Sequence, residues 1–409
     1  MYVADFHIHS KYSRATSKNM DIEHCAQWAK IKGISLLGTG DITHPLWFSE
    51  LKEKLKPSER SGIYVYNDIE FILTGEVNNI FPKDNSMRKI HNIVFFSSFE
   101  TAEKFNKTLE KFAELMIDGR PILQIDARTL IKLVRDADPE GFVVPAHIWT
   151  PHFSLFGANS GFDRIEDCFE EETENILALE TGLSSDPPMN WLLSQLDRFT
   201  LVSNSDSHSP QKIGREANVF NQPFNFFELK EILKTKDNKR FLFTIEYFPE
   251  EGKYHYDGHR LCKVRLSPTE TIKHKYLCPV CGKKVTVGVM HRVITLSDRK
   301  NSDQFHNKIP FKRLVPLDQI IASVYQKEVE SSFTQQLYSQ AISKLGPELK
   351  ILLEIPEKEL FSTLPEEIAA GIKAVREEKI VVIPGYDGEF GTVKINVSSS
   401  GSQIQQTLF

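Results

Sequence analysis

The sequence predicts an α/β protein in which a barrel-like array of strands and helices precedes a small basic module and a helical region. Two observations lead to this prediction. Short runs of apolar, β-prone residues alternate with helix-like stretches over residues 1–249, and repeated strand–helix units favour a parallel sheet that is closed or nearly closed. Histidine and acidic residues follow most of these runs, at the strand ends where barrel enzymes place their chemistry.

The alternation defines eight strands and four helices in the first part of the chain. The predicted strands are Val3–His9, Ile34–Asp41, Glu70–Val77, His91–Ser97, Gly141–Ile148, Ile176–Thr181, Leu201–Asp206 and Phe241–Tyr247. The predicted helices are Asp21–Ile31, Ala102–Met116, Thr129–Ala137 and Phe227–Lys234. We therefore assign residues 1–249 to a catalytic barrel.

Three further segments follow the predicted barrel. Residues 250–313 form a basic module that contains Cys and His, and residues 314–397 form a mainly helical domain. In Glu366–Glu377, Ile368, Ile372 and Val375 share one helix face. The turn Tyr386–Gly391 indicates a terminal β-hairpin. Residues 398–409 are predicted to be a flexible tail.

The net charge of −5 is unevenly distributed along the chain. Residues 252–313 carry fourteen Lys and Arg against four Asp and Glu, a balance of +10, so the remainder is at −15. A basic segment suggests a polyanionic partner, because Lys and Arg that neutralise phosphates release counterions; a solvated lysine-rich surface is the alternative. No apolar run is long enough for a membrane span and no signal peptide is evident, so we expect a cytoplasmic protein without a membrane partner.

A set of histidine and acidic residues predicts a metal site with several ions. Alternate residues of a strand point to one side, so His7 and His9 can hold one ion together. The complete set of predicted metal ligands is His7, His9, Asp41, Glu76, His91, His147, Asp206 and His208. Imidazole and carboxylate groups at strand ends are typical of catalytic sites for divalent ions. We expect two or three such ions, which can be Zn, Mn or Mg.

The order of these motifs resembles the PHP (polymerase and histidinol phosphatase) superfamily of metal phosphoesterases. The resemblance covers residues 1–245 and implies a distorted (β/α)7 barrel. Two positions depart from the family pattern. Asp41 stands where the second motif often has His, and Arg14 stands where an acidic or His ligand is often found. Because Arg14 replaces a ligand of the family pattern, binding of a third ion stays an open question. Arg14 is a candidate either for a phosphate contact or for a surface role.

A cluster of this kind predicts hydrolysis of a phosphate ester. Water that is bound to divalent ions has a lowered pKa and supplies hydroxide near neutral pH, while the ions neutralise the phosphate oxygens. Glu76 is predicted to bridge two ions, and Asp206 and His208 are predicted to complete the coordination of the second ion. These three residues are the predicted catalytic groups. His152 and Glu180 lie near strand ends and are candidate substrate contacts, ligands or supporting residues.

The basic module contains a second pattern that indicates metal binding. Two residues lie between His259 and Cys262, and two lie between Cys278 and Cys281. Fifteen residues separate these two pairs. The predicted ligands of one structural Zn are His259, Cys262, Cys278 and Cys281. His255, His274 and His291 are alternatives for the fourth ligand. Zinc would fold a module whose few apolar residues are insufficient for a core.

The barrel, the module and the helical region together resemble the endonuclease Q family over nearly the whole chain. The segments that carry this resemblance are Gly38–Pro45, Ser203–His208, Leu277–Gly282, Gly288–Arg292 and Pro384–Gly388. It implies a DNA-repair endonuclease that cleaves 5′ of a deaminated base (uracil, hypoxanthine or xanthine) or an abasic site. A PHP-type small-molecule phosphatase and a non-catalytic DNA-binding protein are the alternatives. The zinc module argues against the phosphatase, and the retained ligands argue against a non-catalytic role.

Recognition of a damaged base requires that the base leave the helical stack. The segment Trp149–Phe162 carries four aromatic residues. Its aromatic side chains either contribute to a base pocket or pack in the core.

The last five residues resemble the Gln-x-x-Leu-Phe peptides that bind bacterial sliding clamps. Leu408 and Phe409 would fill an apolar pocket, and the Gln405 amide would fix the register by hydrogen bonds. A sliding clamp is therefore a second predicted partner, besides DNA that contains damaged bases. A tail that is frayed or packed back onto the protein is the alternative.

Overall fold

An eleven-stranded mixed sheet organises the first part of the computed structural model, which describes residues 1–395. The strands are, in chain order, β1 (Tyr2–Asp5), β2 (Leu36–Gly38), β3 (Lys56–Pro57), β4 (Ile63–Tyr66), β5 (Ile69–Lys83), β6 (Ser86–Phe96), β7 (Ile122–Leu123), β8 (Phe142–Pro145), β9 (Ala178–Glu180), β10 (Thr200–Val202), β11 (Ala217–Phe220), β12 (Phe241–Glu246), β13 (Asp257–His259), β14 (Val264–Leu266), β15 (Phe311–Arg313), β16 (Val381–Ile383) and β17 (Thr392–Lys394). The pairs β9–β10, β13–β14 and β16–β17 lie outside the large sheet.

The sheet contains both parallel and antiparallel neighbours. Strands β1, β2 and β5 are parallel, and so are β12 and β15. Strand β11 lies antiparallel between β1 and β12, and β6 lies antiparallel between β5 and β8. The hairpin β5–β6 turns at Asp84 and Asn85, whose positive φ angles are typical of a tight two-residue turn. The α/β class is confirmed, but over residues 1–395 the hydrogen-bonded strands do not form one closed ring.

Fourteen α-helices are present in the described part of the chain. They are α1 (Ile22–Lys32), α2 (Pro45–Lys54), α3 (Phe99–Leu109), α4 (Ala127–Ala137), α5 (Ile165–Phe169), α6 (Pro187–Asn190), α7 (Phe226–Thr235), α8 (Pro268–Lys273), α9 (Val289–Leu296), α10 (Leu317–Tyr325), α11 (Ser332–Leu345), α12 (Glu348–Leu353), α13 (Glu357–Thr363) and α14 (Glu366–Arg376). The helical C-terminal region is thus as predicted. No helix of residues 1–395 combines the length and the apolar character that a membrane crossing needs.

The C-terminal helices share a continuous apolar core with the sheet. At their boundary, Lys32 of α1 pairs with Glu348 of α12 at 2.5 Å, and both side chains are buried. The Tyr338 hydroxyl donates to the same carboxylate at 2.6 Å. A buried charge is tolerated when it is paired and hydrogen-bonded in this way, so the two regions are held in a defined relation.

Candidate active site

Seven of the eight predicted barrel ligands converge at one end of the sheet. They form three groups in which the ligand atoms lie within 4.8 Å of one another, namely His7–His9–Glu76, His9–Asp206–His208 and Glu76–His91–His147. His9 and Glu76 each belong to two groups, so the three groups form one cluster. We call these seven residues the metal cluster. The sharing of donors between groups is what a site for neighbouring ions requires.

Sharp turns of the backbone place several of these side chains. Strand β1 ends at Asp5, so His7 and His9 lie beyond it, and the His9 amide donates to the Ser207 carbonyl at 2.9 Å. His147 and Asp206 follow β8 and β10 with φ angles of 30° and 46°. Left-handed backbone is uncommon for residues other than glycine and concentrates at functional sites. The chain therefore turns toward the cluster where each strand ends.

Glu76 occupies the centre of the metal cluster. Its carboxylate oxygens lie 2.6 Å from His91 Nδ1, 3.1 Å from His147 Nε2, 3.8 Å from His7 Nε2 and 3.6 Å from His9 Nε2. Burial by itself would raise the pKa of Glu76, but the surrounding histidines outweigh burial and hold the pKa well below its usual value. Glu76 is thus an ionised carboxylate in contact with histidines that follow β1 and β8 and with His91 inside β6, as a bridging ligand would be.

Asp206 lies on the side of the cluster that is open to solvent. One of its oxygens is 2.9 Å from His9 Nε2 and 3.8 Å from His7 Nε2, while 29% of the side chain is exposed. His208 lies next to it, with ring centroids of His9 and His208 4.5 Å apart. The other five metal-cluster residues are less exposed than Asp206 and His208, so these two residues mark the side from which a ligand can enter.

The carboxylates of Glu180 and Asp41 orient His7 and His9 through the Nδ1 atoms of the two rings. Glu180 accepts from His7 Nδ1 at 3.0 Å, and Asp41 accepts from His9 Nδ1 at 3.1 Å. Each contact leaves Nε2 directed toward the cluster, which is the usual arrangement of a carboxylate behind a metal-binding histidine. Asp41 is also held by the hydroxyl of Ser10 at 2.6 Å. It lies outside the three groups, so the geometry favours an orienting role over the predicted role as a ligand.

The electrostatics of the cluster fit bound cations. Burial lowers the pKa of His7, but nearby carboxylates, led by Glu180, outweigh burial and raise the pKa to about 9. The pKa values of His9 and His147 are raised to about 9 by carboxylates in the same way. His7 Nε2 and Glu76 Oε2 are buried and have no hydrogen-bond partner among the described residues. Buried polar atoms are normally satisfied, and metal ions would satisfy both.

An arginine that the sequence did not reveal lies beside the metal cluster. Arg120 Nη1 is 4.0 Å from Glu76 Oε2, and its Nη2 donates to the Arg14 carbonyl at 3.1 Å. The side chain of Arg14 is 72% exposed and pairs with Asp118 instead. The structure therefore brings Arg120, and not Arg14, to the cluster. Nothing in the sequence around Arg120 distinguishes it from a surface arginine.

His152 belongs to none of the three groups of ligand atoms and lies in the wall of a cavity that no metal-cluster residue lines. This cavity has a volume of about 650 Å³ and separates the loop at residues 151–159 from the basic module. His152 is exposed and interacts with the amide of Asn159 at 3.1 Å. Arg292 closes one side of the cavity and donates to the Phe156 carbonyl at 3.0 Å.

Three of the four aromatic residues in this loop are core residues. Trp149, Phe156 and Phe162 are buried, which agrees with the packing interpretation. Phe153 is partly exposed, and its ring centroid lies 5.1 Å from that of His91. It is thus the only one of the four at the edge of the metal cluster.

The four predicted zinc ligands of the basic module come together. Their ligand atoms form a single group within 4.8 Å, comprising His259, Cys262, Cys278 and Cys281. His259 Nδ1 lies 3.5 Å from Cys281 Sγ, a separation that one tetrahedral ion between them would allow. The three alternative histidines are not in this group, and His291 is instead bound to the Asp257 carboxylate at 2.6 Å. The local apolar core is small, with Leu266 and Val285 as its buried aliphatic residues.

Comparison with known proteins gives matches over the whole chain and over its C-terminal part. Residues 316–379, which include helices α10–α14, match the family model described as the MJ0043 C-terminal domain. Uncharacterized protein YqxK of Bacillus subtilis is 29% identical over 410 residues, covering 96% of this chain and 98% of that protein. Uncharacterized protein MJ0043 of Methanocaldococcus jannaschii is 31% identical over 255 residues. That match covers 60% of this chain but only 31% of the length of MJ0043.

Two solved structures resemble the chain over its full length. The lesion-specific endonuclease PfuEndoQ from Pyrococcus furiosus is 29% identical, with a TM-score of 0.86 and coverage of 98% of this chain and 97% of that chain. A structure of endonuclease Q in complex with a 27-mer duplex substrate, with an abasic lesion at the active site, is 30% identical. Its TM-score is 0.86, and the match covers 99% of each chain.

Proposed function

This chain belongs to the endonuclease Q family, and we propose that it is a metal-dependent DNA-repair endonuclease. Its proposed reaction is hydrolysis of the phosphodiester bond 5′ of a deaminated base (uracil, hypoxanthine or xanthine) or of an abasic site. The observation that carries the proposal is the metal cluster, in which two buried ligand atoms, His7 Nε2 and Glu76 Oε2, have no hydrogen-bond partner among the described residues. A small-molecule phosphatase has no evident need for the basic module beside such a cluster.

The chain holds the proposed ions with donors that are already oriented. Two or three divalent ions, when bound, would neutralise the phosphate oxygens and lower the pKa of a bound water. Glu180 and Asp41 fix His7 and His9 through their Nδ1 atoms, so these rings need not reorganise when the substrate arrives. Donors that are fixed in advance stabilise developing charge more effectively than mobile donors.

Arg120 is the proposed protein contact to the scissile phosphate. Its guanidinium lies at the edge of the metal cluster, 4.0 Å from Glu76, and the contact to the Arg14 carbonyl holds it there. A guanidinium can donate two parallel hydrogen bonds to phosphate oxygens. Arg120 would therefore bind a phosphate group that reaches the metal cluster.

The basic module is the proposed support for DNA binding. Residues 252–313 have a charge balance of +10, and contacts of lysine and arginine to phosphates do not depend on base sequence. One structural Zn at His259, Cys262, Cys278 and Cys281 would hold this surface in shape.

The proposal can be tested with labelled duplexes that contain uracil, hypoxanthine, xanthine, an abasic site or no lesion. We expect a metal-dependent nick on the 5′ side of each lesion, and no nick after treatment with EDTA. Mapping of the products on a sequencing gel gives the position of the nick. Equal cleavage of undamaged DNA would contradict lesion specificity, and activity on phosphate monoesters alone would favour the phosphatase alternative.

Binding of a sliding clamp stays a prediction. Gln405, Leu408 and Phe409 lie outside the described residues 1–395. Deletion of residues 405–409 should abolish co-elution with a bacterial clamp and leave nicking of short oligonucleotides unchanged, because a tether raises local concentration without altering chemistry. Undiminished co-elution of the shortened chain would exclude the motif.

A further inference from the structure

The three most exposed large apolar side chains of residues 1–395 lie on the basic module and the adjoining C-terminal hairpin. Leu261 is 82% exposed, and Val280 and Phe390 are each 70% exposed. Single exposed apolar residues are common, but a group of them marks an interaction surface. We call these three side chains the apolar tip.

The geometry of the predicted zinc site makes the apolar tip a defined surface. Leu261 directly precedes Cys262, and Val280 directly precedes Cys281, so the two aliphatic side chains hold equivalent positions in the two ligand loops. The loops are held together because the two sulfur atoms lie within 4.8 Å. Arg260 connects this pair to the hairpin, since its amide donates to the Asp387 carboxylate at 2.6 Å, three residues before Phe390.

The surroundings of the apolar tip indicate what it binds. Six exposed lysines between residues 253 and 284 of the same module have no ion-pair partner in the part of the chain that the structure describes; they are Lys253, Lys263, Lys273, Lys275, Lys283 and Lys284. Uncompensated lysines favour a polyanion. Duplex DNA combines a polyanionic outside with an apolar stack of bases inside, so it matches both the lysines and the aliphatic side chains.

We propose that Leu261 and Val280 insert between base pairs beside the lesion, while the surrounding lysines bind the flanking phosphates. The inference rests on the proposed function, because it takes DNA as the substrate. Aliphatic wedges that enter a base step unstack it and kink the duplex. An unstacked step lowers the energy needed to move the target nucleotide out of the helix. The apolar tip would therefore prepare the DNA, and the metal cluster would cleave it.

Insertion of Leu261 and Val280 can be observed directly with 2-aminopurine placed opposite or next to an abasic site. The fluorescence emission of 2-aminopurine rises when this base leaves the helical stack. The Asp206→Asn protein, loaded with metal, serves as the background so that no cleavage occurs during the measurement. Binding should raise the emission about twofold or more. Leu261→Ala combined with Val280→Ala should lose most of this rise. The control is Phe227→Ala combined with Phe361→Ala, two exposed side chains outside the module, which should keep it.

Nicking by the cleavage-competent protein then separates insertion from general binding. With the double substitution, the rate on a fully paired lesion duplex should fall about tenfold, whereas a duplex with mismatches flanking the lesion should be nicked nearly as fast as by the unsubstituted protein. Zinc content should equal that of the unsubstituted protein, which excludes an unfolded module. An unchanged emission rise, or an equal loss of nicking on both duplexes, would overturn the wedge. A full emission rise without nicking of any lesion would overturn the proposed function and leave the wedge standing.

Discussion

The metal cluster and the basic module distribute polar and apolar side chains in opposite ways. At the metal cluster, four of the seven side chains are buried, and its histidines and carboxylates are paired with one another. On the module, apolar side chains are exposed, and the lysines around them are unpaired within the described residues. A protein interior that holds charges in a fixed arrangement suits chemistry. A surface that leaves apolar groups and cations accessible suits recognition of a partner.

The two regions also differ in what stabilises them. The metal cluster is surrounded by the continuous apolar core that joins the sheet to the C-terminal helices. The module has few buried apolar residues of its own and gathers four potential ligands instead. Loss of a ligand should therefore have separable consequences. At the cluster it should remove activity and leave the fold, whereas in the module it should remove local structure and leave the sheet.

Asp206→Asn should have the largest effect on activity. The substitution removes a charge that lies 2.9 Å from His9 Nε2 at the open side of the cluster, so it weakens charge compensation of bound ions. We expect the rate of nicking to fall on the order of 10³-fold, with little change in the circular dichroism spectrum or in DNA affinity. His9→Ala should behave similarly. Nicking of lesion-containing DNA at the original rate by either variant would remove the cluster from the reaction.

Arg120→Gln should have the next largest effect. Loss of the guanidinium removes the proposed phosphate contact, so we expect kcat to fall about 10²-fold with a smaller change in KM. Arg14→Gln is a matched control, because Arg14 lies in the same region but its side chain faces Asp118 and solvent. Single-turnover kinetics measure the chemical step. Equal losses for the two variants would show that the position of Arg120 beside Glu76 has no special role.

Cys278→Ser combined with Cys281→Ser should act on the module alone. We expect the protein to lose one equivalent of zinc and to bind DNA about tenfold more weakly at moderate salt, with a shallower salt dependence. Metal analysis and binding titrations at several salt concentrations measure both effects. Cys25→Ser provides the comparison, since Cys25 is a buried thiol of helix α1 outside the predicted zinc site. An unchanged zinc content in the double variant would exclude the predicted zinc site.

The sequence predicted the residues of the metal cluster better than their geometry. Hydrophobic runs and the polar residues within or after them identified every strand that carries or precedes a residue of the metal cluster. Strands β3, β4, β7, β11 and β15 of the large sheet were missed, and β11 pairs antiparallel with β1. The parallel barrel implied by alternation alone is therefore only part of the arrangement. Pairing direction depends on which strands meet in three dimensions, and single-strand patterns do not contain that information.

Residues that act through other residues were the hardest to predict. Asp41 has the composition and position of a ligand, and only the structure shows that it contacts His9 Nδ1 and the Ser10 hydroxyl. Arg120 lies in a short turn before β7, and its approach to Glu76 depends on contacts with a distant segment. The apolar tip was likewise not predicted, because the sequence pattern around Leu261 and Val280 identifies the neighbouring metal ligands and not the exposure of these two side chains. Exposure is a property of the folded chain, and local sequence predicts it poorly in a module with so small an apolar core.

A smaller effect, on stability, should distinguish two kinds of buried carboxylate within the sheet region. Glu216 and Glu246 are buried behind the cluster without a cation in contact, and burial raises both pKa values, that of Glu246 to about 8. A raised pKa in the folded state contributes stability that is complete below the unfolded value of 4.5 and is lost as the pH rises through the folded value. The original protein should therefore lose thermal stability between pH 5 and about pH 8.

The Glu216→Gln variant mimics the protonated form of Glu216, so its stability should fall less over this pH range. Near pH 8 it should be more stable than the original protein by about 1–2 kcal/mol. Thermal unfolding at several pH values with a fixed metal concentration measures the difference, with the exposed Glu359→Gln as the control. Parallel pH profiles for Glu216→Gln and the original protein would show that Glu216 is ionised in the folded state, like the carboxylates of the metal cluster.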